Sequence, residues 1–275
     1  MDDYRYIVHN YSPGDELYLF GFSRGAYTIR SLCGLINNYG IIKRPHARLI
    51  QKAFDYYKNS RSEYAPDGAK AIAFRKEYSH SSRKIKFVGV FDTVGAMGIP
   101  FSFLGLFENK DEFYDTKMGP NIEIARHALA IDEKREDFEP TIWNPKRSNK
   151  IKQVWFAGCH ADIGGSYEPD RNGTVLSNNI LYWMIREAEE AGLEIAPHIG
   201  KPNKGDPNAT LHNSRVSFYR LRGKNNRDIQ HANGSKALIH ESVRTRWNSD
   251  TKYRPAKLKE YLATKGGWGN ATIEP

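Results

Sequence analysis

Ser23 stands between two glycines in Gly21-Phe22-Ser23-Arg24-Gly25, just after the apolar run ELYLF (16–20) and just before an amphipathic stretch. A serine spaced G-x-S-x-G between a strand and a helix has the pattern of a nucleophile elbow, which would present the hydroxyl for attack on an ester. The sharp turn lifts the hydroxyl clear of the sheet, and the strained backbone needs small neighbours, which Gly21 and Gly25 provide. The first helical amide, that of Arg24, would point from the helix N-terminus toward a developing oxyanion. The competing reading is an ordinary glycine-rich turn in which the serine is a bystander; the flanking strand and helix favour the elbow.

An elbow serine requires a base and an acid that orients it, in chain order serine, acid, histidine. Two aspartates follow apolar runs, Asp92 in VFDTVGA and Asp162 in GCHADIGG. The acid usually follows the later strand, which favours Asp162 and leaves Asp92 as a helix cap or a hydrogen-bonding neighbour. Of the histidines after Asp162, the loop following the expected last strand holds His231 and His240. His231 lies among Gln, Asn and Gly, whereas His240 ends the apolar ALIH and is better held, as a base must be. Cys159-His160 invites a thiol or metal reading. Neighbours at a strand end point apart, however, and no further ligands cluster nearby, so a structural Cys159 and a site-lining His160 are expected.

Four β-rich runs would carry these groups: ELYLF (16–20), IKFVGVF (85–91), IKQVWFA (151–157) and RVSFYRL (215–221). Near-continuous apolar runs fit strands buried on both faces of a parallel sheet. Helices are expected after Ser23 to about Ile36, over 47–58, over 122–131 (IEIARHALAI), and from an N-cap at Ser177 to a stop at Gly192. The alternation predicts a three-layer, mostly parallel α/β sheet with helices on both faces. No repeat or linker divides residues 1–275, so one catalytic domain is expected. Residues 97–120 combine Phe101, Phe103, Leu104, Leu106 and Phe107 with Gly, Pro and charge. They read as a lid or acyl-chain wall, or as a surface loop packing its own side chains.

A net charge of +9 raises the question of an acidic partner, but the Lys and Arg are spread along the chain, with no run of five or more. No zinc-finger or RNP-like spacing is present, so nucleic acid is not expected; peripheral contact with an anionic membrane is compatible with the charge. Two cysteines make no disulfide framework. The acidic, polar N-terminus is no signal peptide and no window is apolar enough to span a bilayer, which makes the cytoplasm the default compartment.

Four blocks, SPGDELYLFGFSRGAYTIR (12–30), FVGVFDTVGA (87–96), VWFAGCHADIGGSY (154–167) and IHESVRTRW…YRP (239–255), resemble a known family. It is the bacterial and fungal α/β-hydrolase domain family that includes the catalytic domains of type VI secretion phospholipase effectors. The resemblance implies a serine hydrolase of lipid esters, without cofactor or metal, and export by a specialised secretion system. It places the family's serine on Ser23, its aspartate on Asp162 and its histidine on His240. Family members carry strands and an Asp-Gly-Thr turn before the elbow, and no such turn stands here. An N-terminally incomplete sheet is therefore expected, with the nucleophile strand as an exposed edge open to self-association. The alternative from another class is an inactive remnant of the fold that binds lipid or a protein partner.

Overall fold

A computed structural model of the chain describes residues 1–94, 118–144, 150–199, 205–221, 223–229 and 237–275. The lid candidates Phe101, Phe103, Leu104, Leu106 and Phe107, and also His231, lie outside the described residues. Among the described residues six parallel strands run in chain order across one sheet: β1 (Tyr18–Phe22), β2 (Ile85–Phe91), β3 (Ile122–Ala130), β4 (Ile151–Phe156), β5 (Leu238–His240) and β6 (Thr272–Glu274). Among the described residues β1 forms one margin of the sheet, and its Phe20 is 41% exposed.

Side-chain parity sorts the sheet into two covered faces. Val88, Val90 and Ala125 point to one face, against α2 (Arg24–Tyr39), α3 (Ile50–Tyr57), α4 (Ala69–Tyr78) and α1 (Asp2–Asn10). Farther along the same face, Leu129, Trp155 and Ile239 pack with α7 (Glu241–Ser249) and α8 (Ala256–Lys265). Phe87, Ala128, Val154 and Phe156 point the other way, against Ile180, Trp183 and Met184 of α6 (Ser177–Glu190). The expected three-layer α/β arrangement with helices on both faces is the fold observed.

Two elements differ from the sequence reading. Residues 122–130 form β3 rather than a helix. The segment is buried on both faces, and its two mid-strand polar side chains find partners in neighbouring elements. Arg126 pairs with Glu187 of α6, which also takes Lys152, the register partner of Arg126 on β4. His127 lies between the Thr93 amide and Gln153. Conversely, RVSFYRL is not a strand: Ser217–Arg220 is a short 3-10 turn, with Val216 51% and Leu221 88% exposed. Without a ladder partner its β-prone residues stay outside the sheet, and the fifth strand is Leu238–His240.

Candidate active site

The site is built on the C-terminal ends of β1 to β4. Ser23 is the residue after β1 and the N-cap of α2, with φ 56° and ψ −120°. This backbone is rare for a non-glycine residue and is the strained turn an elbow requires. A Cβ on Gly21 would lie 2.7 Å from the Gly25 carbonyl oxygen, so strand and helix meet at a distance only glycine allows. At Gly25 an added Cβ meets nothing, so packing does not demand the second glycine.

β1 and β2 pair Phe22 with Phe91, which sets Ser23 beside Asp92, and the Ser23 amide donates to the Phe91 carbonyl at 3.0 Å. Asp92 also has positive φ, 44°, and its own amide is held by the Ala128 carbonyl. Below this turn His127 Nε2 accepts the Thr93 amide at 3.1 Å. Nδ1–H of His127 therefore faces Gln153 Oε1. Burial, reinforced by the charge of Arg30, pushes the His127 pKa down to about 3 and fixes the neutral form that this hydrogen bonding needs.

His160 opens α5 (His160–Ile163), a single turn that follows β4 and crosses back over the strand ends. Its Nε2 lies 2.8 Å from Ser23 Oγ and its Nδ1 2.6 Å from Asp92 Oδ2. With the Asp92 carboxylate at Nδ1, that nitrogen carries the proton and Nε2 accepts from the serine hydroxyl. The ring is flanked by Phe22 and Phe138, at centroid distances of 4.6 and 4.9 Å. Phe22 in turn rests on Gly164, where a Cβ would lie 2.2 Å from the ring.

Asp92 is fully buried. Burial opposes its ionisation, but the Arg227 guanidinium and His160 overcome that and hold the carboxyl well below the usual range. Arg227 donates to both carboxylate oxygens, at 2.5 and 3.0 Å, and the Ala130 amide donates to Oδ1 at 3.0 Å. Two further carboxylates just past β3 hold the turn that carries His160. Asp132 accepts the Gly158 amide at 2.9 Å and the Tyr253 hydroxyl at 3.0 Å. Glu133 accepts the His160 amide at 3.1 Å, the Ser214 hydroxyl at 2.7 Å, and both the backbone and the side chain of Arg135.

The expected grouping of Ser23, Asp162 and His240 is not the one the fold makes. Asp162 accepts the Cys159 amide at 2.9 Å, closing a capping box on α5, and its other oxygen meets His212 Nδ1 at 2.7 Å. His240 caps α7 through Ser242, with Nδ1 2.8 Å from Ser242 Oγ, and its ring stacks on Phe156. β5 lies four strand spacings from β1, or about 19 Å. The structure instead brings Ser23 together with Asp92 and His160. Cys159 is buried, and burial, with Asp162 nearby, pushes its thiol up to about 12, which removes thiolate character. Arg24 is the first residue of α2, where its amide belongs to the unpaired N-terminal turn.

Sequence reasoning did not single out Arg227, Asp132, Glu133, His127 or His212. The adjacent acids after an apolar run, AIDE (130–133), were the one local signal. Ala161 and Asp162 also line a cavity of about 460 Å³ with Tyr167, Asp170, Thr210 and His212. Among the described residues no group of three or more His, Cys, Asp or Glu is arranged to hold a metal ion, and no helix is long and apolar enough to cross a membrane.

Residues 1–187 match the family described as "T6SS, Phospholipase effector Tle1-like, catalytic domain". An uncharacterized yeast protein, YEL023C of Saccharomyces cerevisiae, is 30% identical over 149 residues, 52% of this chain and 20% of its own length. Two solved structures are similar over part of their length. The Tle1 effector bound to the VgrG spike of the type VI secretion system has a TM-score of 0.33 at 21% identity, covering 60% of this chain and 29% of the effector. An uncharacterized protein from Pseudomonas aeruginosa has a TM-score of 0.38 at 19% identity, covering 72% and 28%. The chain thus spans less than a third of the length of each of these relatives. The match over residues 1–187 places the chain in the family of Tle1-like catalytic domains of type VI secretion phospholipase effectors.

Proposed function

We propose that the chain is a serine hydrolase of phospholipid ester bonds that works through Ser23, His160 and Asp92. The observation that carries this reading is the continuous hydrogen-bonded line from Ser23 Oγ through His160 to Asp92, with both links under 3 Å. Ser23 attacks the acyl carbonyl carbon as its proton passes to His160 Nε2. Asp92 keeps the imidazole in the required tautomer and stabilises the imidazolium. Collapse of the tetrahedral intermediate breaks the ester bond, and His160 returns the proton to the leaving alcohol. Water, deprotonated by the same nitrogen, then cleaves the acyl-enzyme. The Arg24 amide, at the positive end of α2, is the donor for the oxyanion.

The cavity beside α5 begins at Ala161, the residue after the base, and its walls include Asp162, Asp170, Thr210 and His212, which suits the polar alcohol half of the ester. An anionic lipid surface fits the net charge of +9. The family's name implies delivery through the type VI machinery, which we extend to this chain. Labelling with a fluorophosphonate probe is the direct test. Wild-type protein is expected to label covalently and Ser23→Ala not at all. Folded wild-type protein that neither labels nor hydrolyses phospholipid vesicles would refute the reading.

A further inference from the structure

We infer that Arg227 is a positioning residue of this site, fixing the Asp92 carboxylate toward His160 and holding it in its ionised form. The inference rests on the Ser23–His160–Asp92 reading above. Arg227 is 2% exposed and Asp92 is fully buried, so their contact is screened from water. Nη1 reaches Oδ1 at 2.5 Å and Nη2 reaches Oδ2 at 3.0 Å, the two-point fit that guanidinium makes with a carboxylate. The guanidinium is itself fixed, since Nη1 donates to the Ala130 carbonyl at 3.1 Å and Nη2 to that of Phe138. Oδ1 is also claimed by the Ala130 amide, which leaves Oδ2 for His160. Rotation of the carboxylate would break several bonds at once, so its aim at His160 is set from behind.

The same contact decides the charge of Asp92. Among the described residues, the ionisable groups facing it are His160 from α5, His127 from β3, Glu139 from the segment after β3, and Arg227. Burial keeps His127 neutral and also raises the Glu139 carboxyl, which the charge of Asp92 raises further. Burial is the largest influence on Asp92 and favours its protonated form; Arg227 is the largest influence against it. A protonated Asp92 no longer stabilises the imidazolium that His160 becomes. Residue 227 also lies outside the matched residues 1–187, so a later part of the chain supports the acid of the site. The buried Ile229, packed in the same cluster as α7 and α8, anchors that segment.

The test uses the whole chain, with probe labelling and hydrolysis of a soluble short-chain ester measured from about pH 5 to about pH 9. Arg227→Met is expected to lose on the order of a hundredfold in kcat at neutral pH with KM little changed, as for lost outer partners of catalytic groups. The active form is the carboxylate, and losing Arg227 raises its pKa. The acid limb of the rate profile therefore moves to higher pH, and the variant recovers rate as pH rises. Arg227→Lys should fall between the two proteins. Asp92→Asn alone should lose about ten-thousandfold. Adding Arg227→Met to it should then cost nothing more, because the arginine acts through Asp92.

An equal loss at every pH, a further large loss on the Asp92→Asn background, or no loss would overturn the inference. If Arg227→Met does not fold, the double variant, which buries no unpaired charge, and Arg227→Lys still decide between these outcomes. Failure of the wild-type protein to label would strike the proposed function instead. Normal labelling of both wild type and Arg227→Met would strike this inference alone.

Discussion

The contact between Gly164 and Phe22 offers a sharp test of how finely the base is placed. Gly164 has φ −86° and ψ −1°, a conformation alanine adopts freely, so Gly164→Ala tests space and not backbone strain. The new Cβ would stand 2.2 Å from the Phe22 ring, where ordinary contact begins at 3.4 Å, so about 1.2 Å must be found. Phe22 cannot swing aside freely, because its other neighbour is the His160 ring at 4.6 Å. Either α5 lifts from β1 or Phe22 pushes on His160. A displacement of that size turns the 2.8 Å bond between His160 and Ser23 into one of about 4 Å, no longer a hydrogen bond. Misplacement by about 1 Å costs roughly a hundredfold in rate, while overpacking costs about 1–3 kcal/mol of stability. Probe-labelling rate and kcat on a soluble ester, alongside a thermal melt, read the two effects separately. Adding Phe22→Leu should recover much of the rate by clearing the space. A Gly164→Ala protein with wild-type turnover would refute the placement of His160 by this contact.

Three further outcomes follow from the geometry. His160→Gln should lower labelling by about ten-thousandfold, whereas His240→Gln should label normally and lose about 1–2 kcal/mol in urea unfolding through its lost cap. The reverse pattern would restore the expected grouping of Ser23, Asp162 and His240. Burial raises the Asp132 carboxyl from 3.8 to about 6 in the folded chain. The folded state therefore holds this proton more tightly than the unfolded chain does. The stability this gives is complete below pH 3.8 and is lost as pH rises toward and through 6. Asp132→Asn should flatten that part of the stability profile in urea titrations at successive pH values. Finally, Gly21→Ala must displace the Gly25 backbone from 2.7 Å, so it should melt well below wild type and label poorly; an unchanged melt would argue against the tight elbow.

The elbow was legible because its parts are local: a strand, a serine between glycines, and a helix within about twenty residues. Asp92 and His160 stand in the hydrogen-bonded line where the sequence favours Asp162 and His240, and the strand count accounts for part of that difference. Reading IEIARHALAI as a helix removed β3, and reading RVSFYRL as a strand added one that does not exist. With RVSFYRL counted as the last strand, the loop after it becomes the place for a base, while Asp162 is favoured as the later of the two aspartates that follow apolar runs. The helix reading was natural, because Arg126 and His127 interrupt the apolar run. Their partners, Glu187 and the pair Thr93 and Gln153, come from other elements and leave no trace in the local pattern. Arg227 is 135 positions from Asp92, and nothing in its neighbourhood marks it.

β3 also ties the proposed site to the alignment of one strand. Arg126 toward α6, His127 beneath the Asp92 turn, and Asp132 and Glu133 gripping the turn before His160 are all set by where that single segment docks. A slip of one residue would exchange its two faces and turn each of these side chains the wrong way. Such a molecule would keep much of its sheet and helix content and still lose the line from Ser23 through His160 to Asp92. Spectroscopic measures of folding would count it as native, and titration of active sites would not. If the proposed site is right, the fraction of a preparation that reacts with a suicide substrate reports a property that total folded protein does not, and a slipped β3 would lower it.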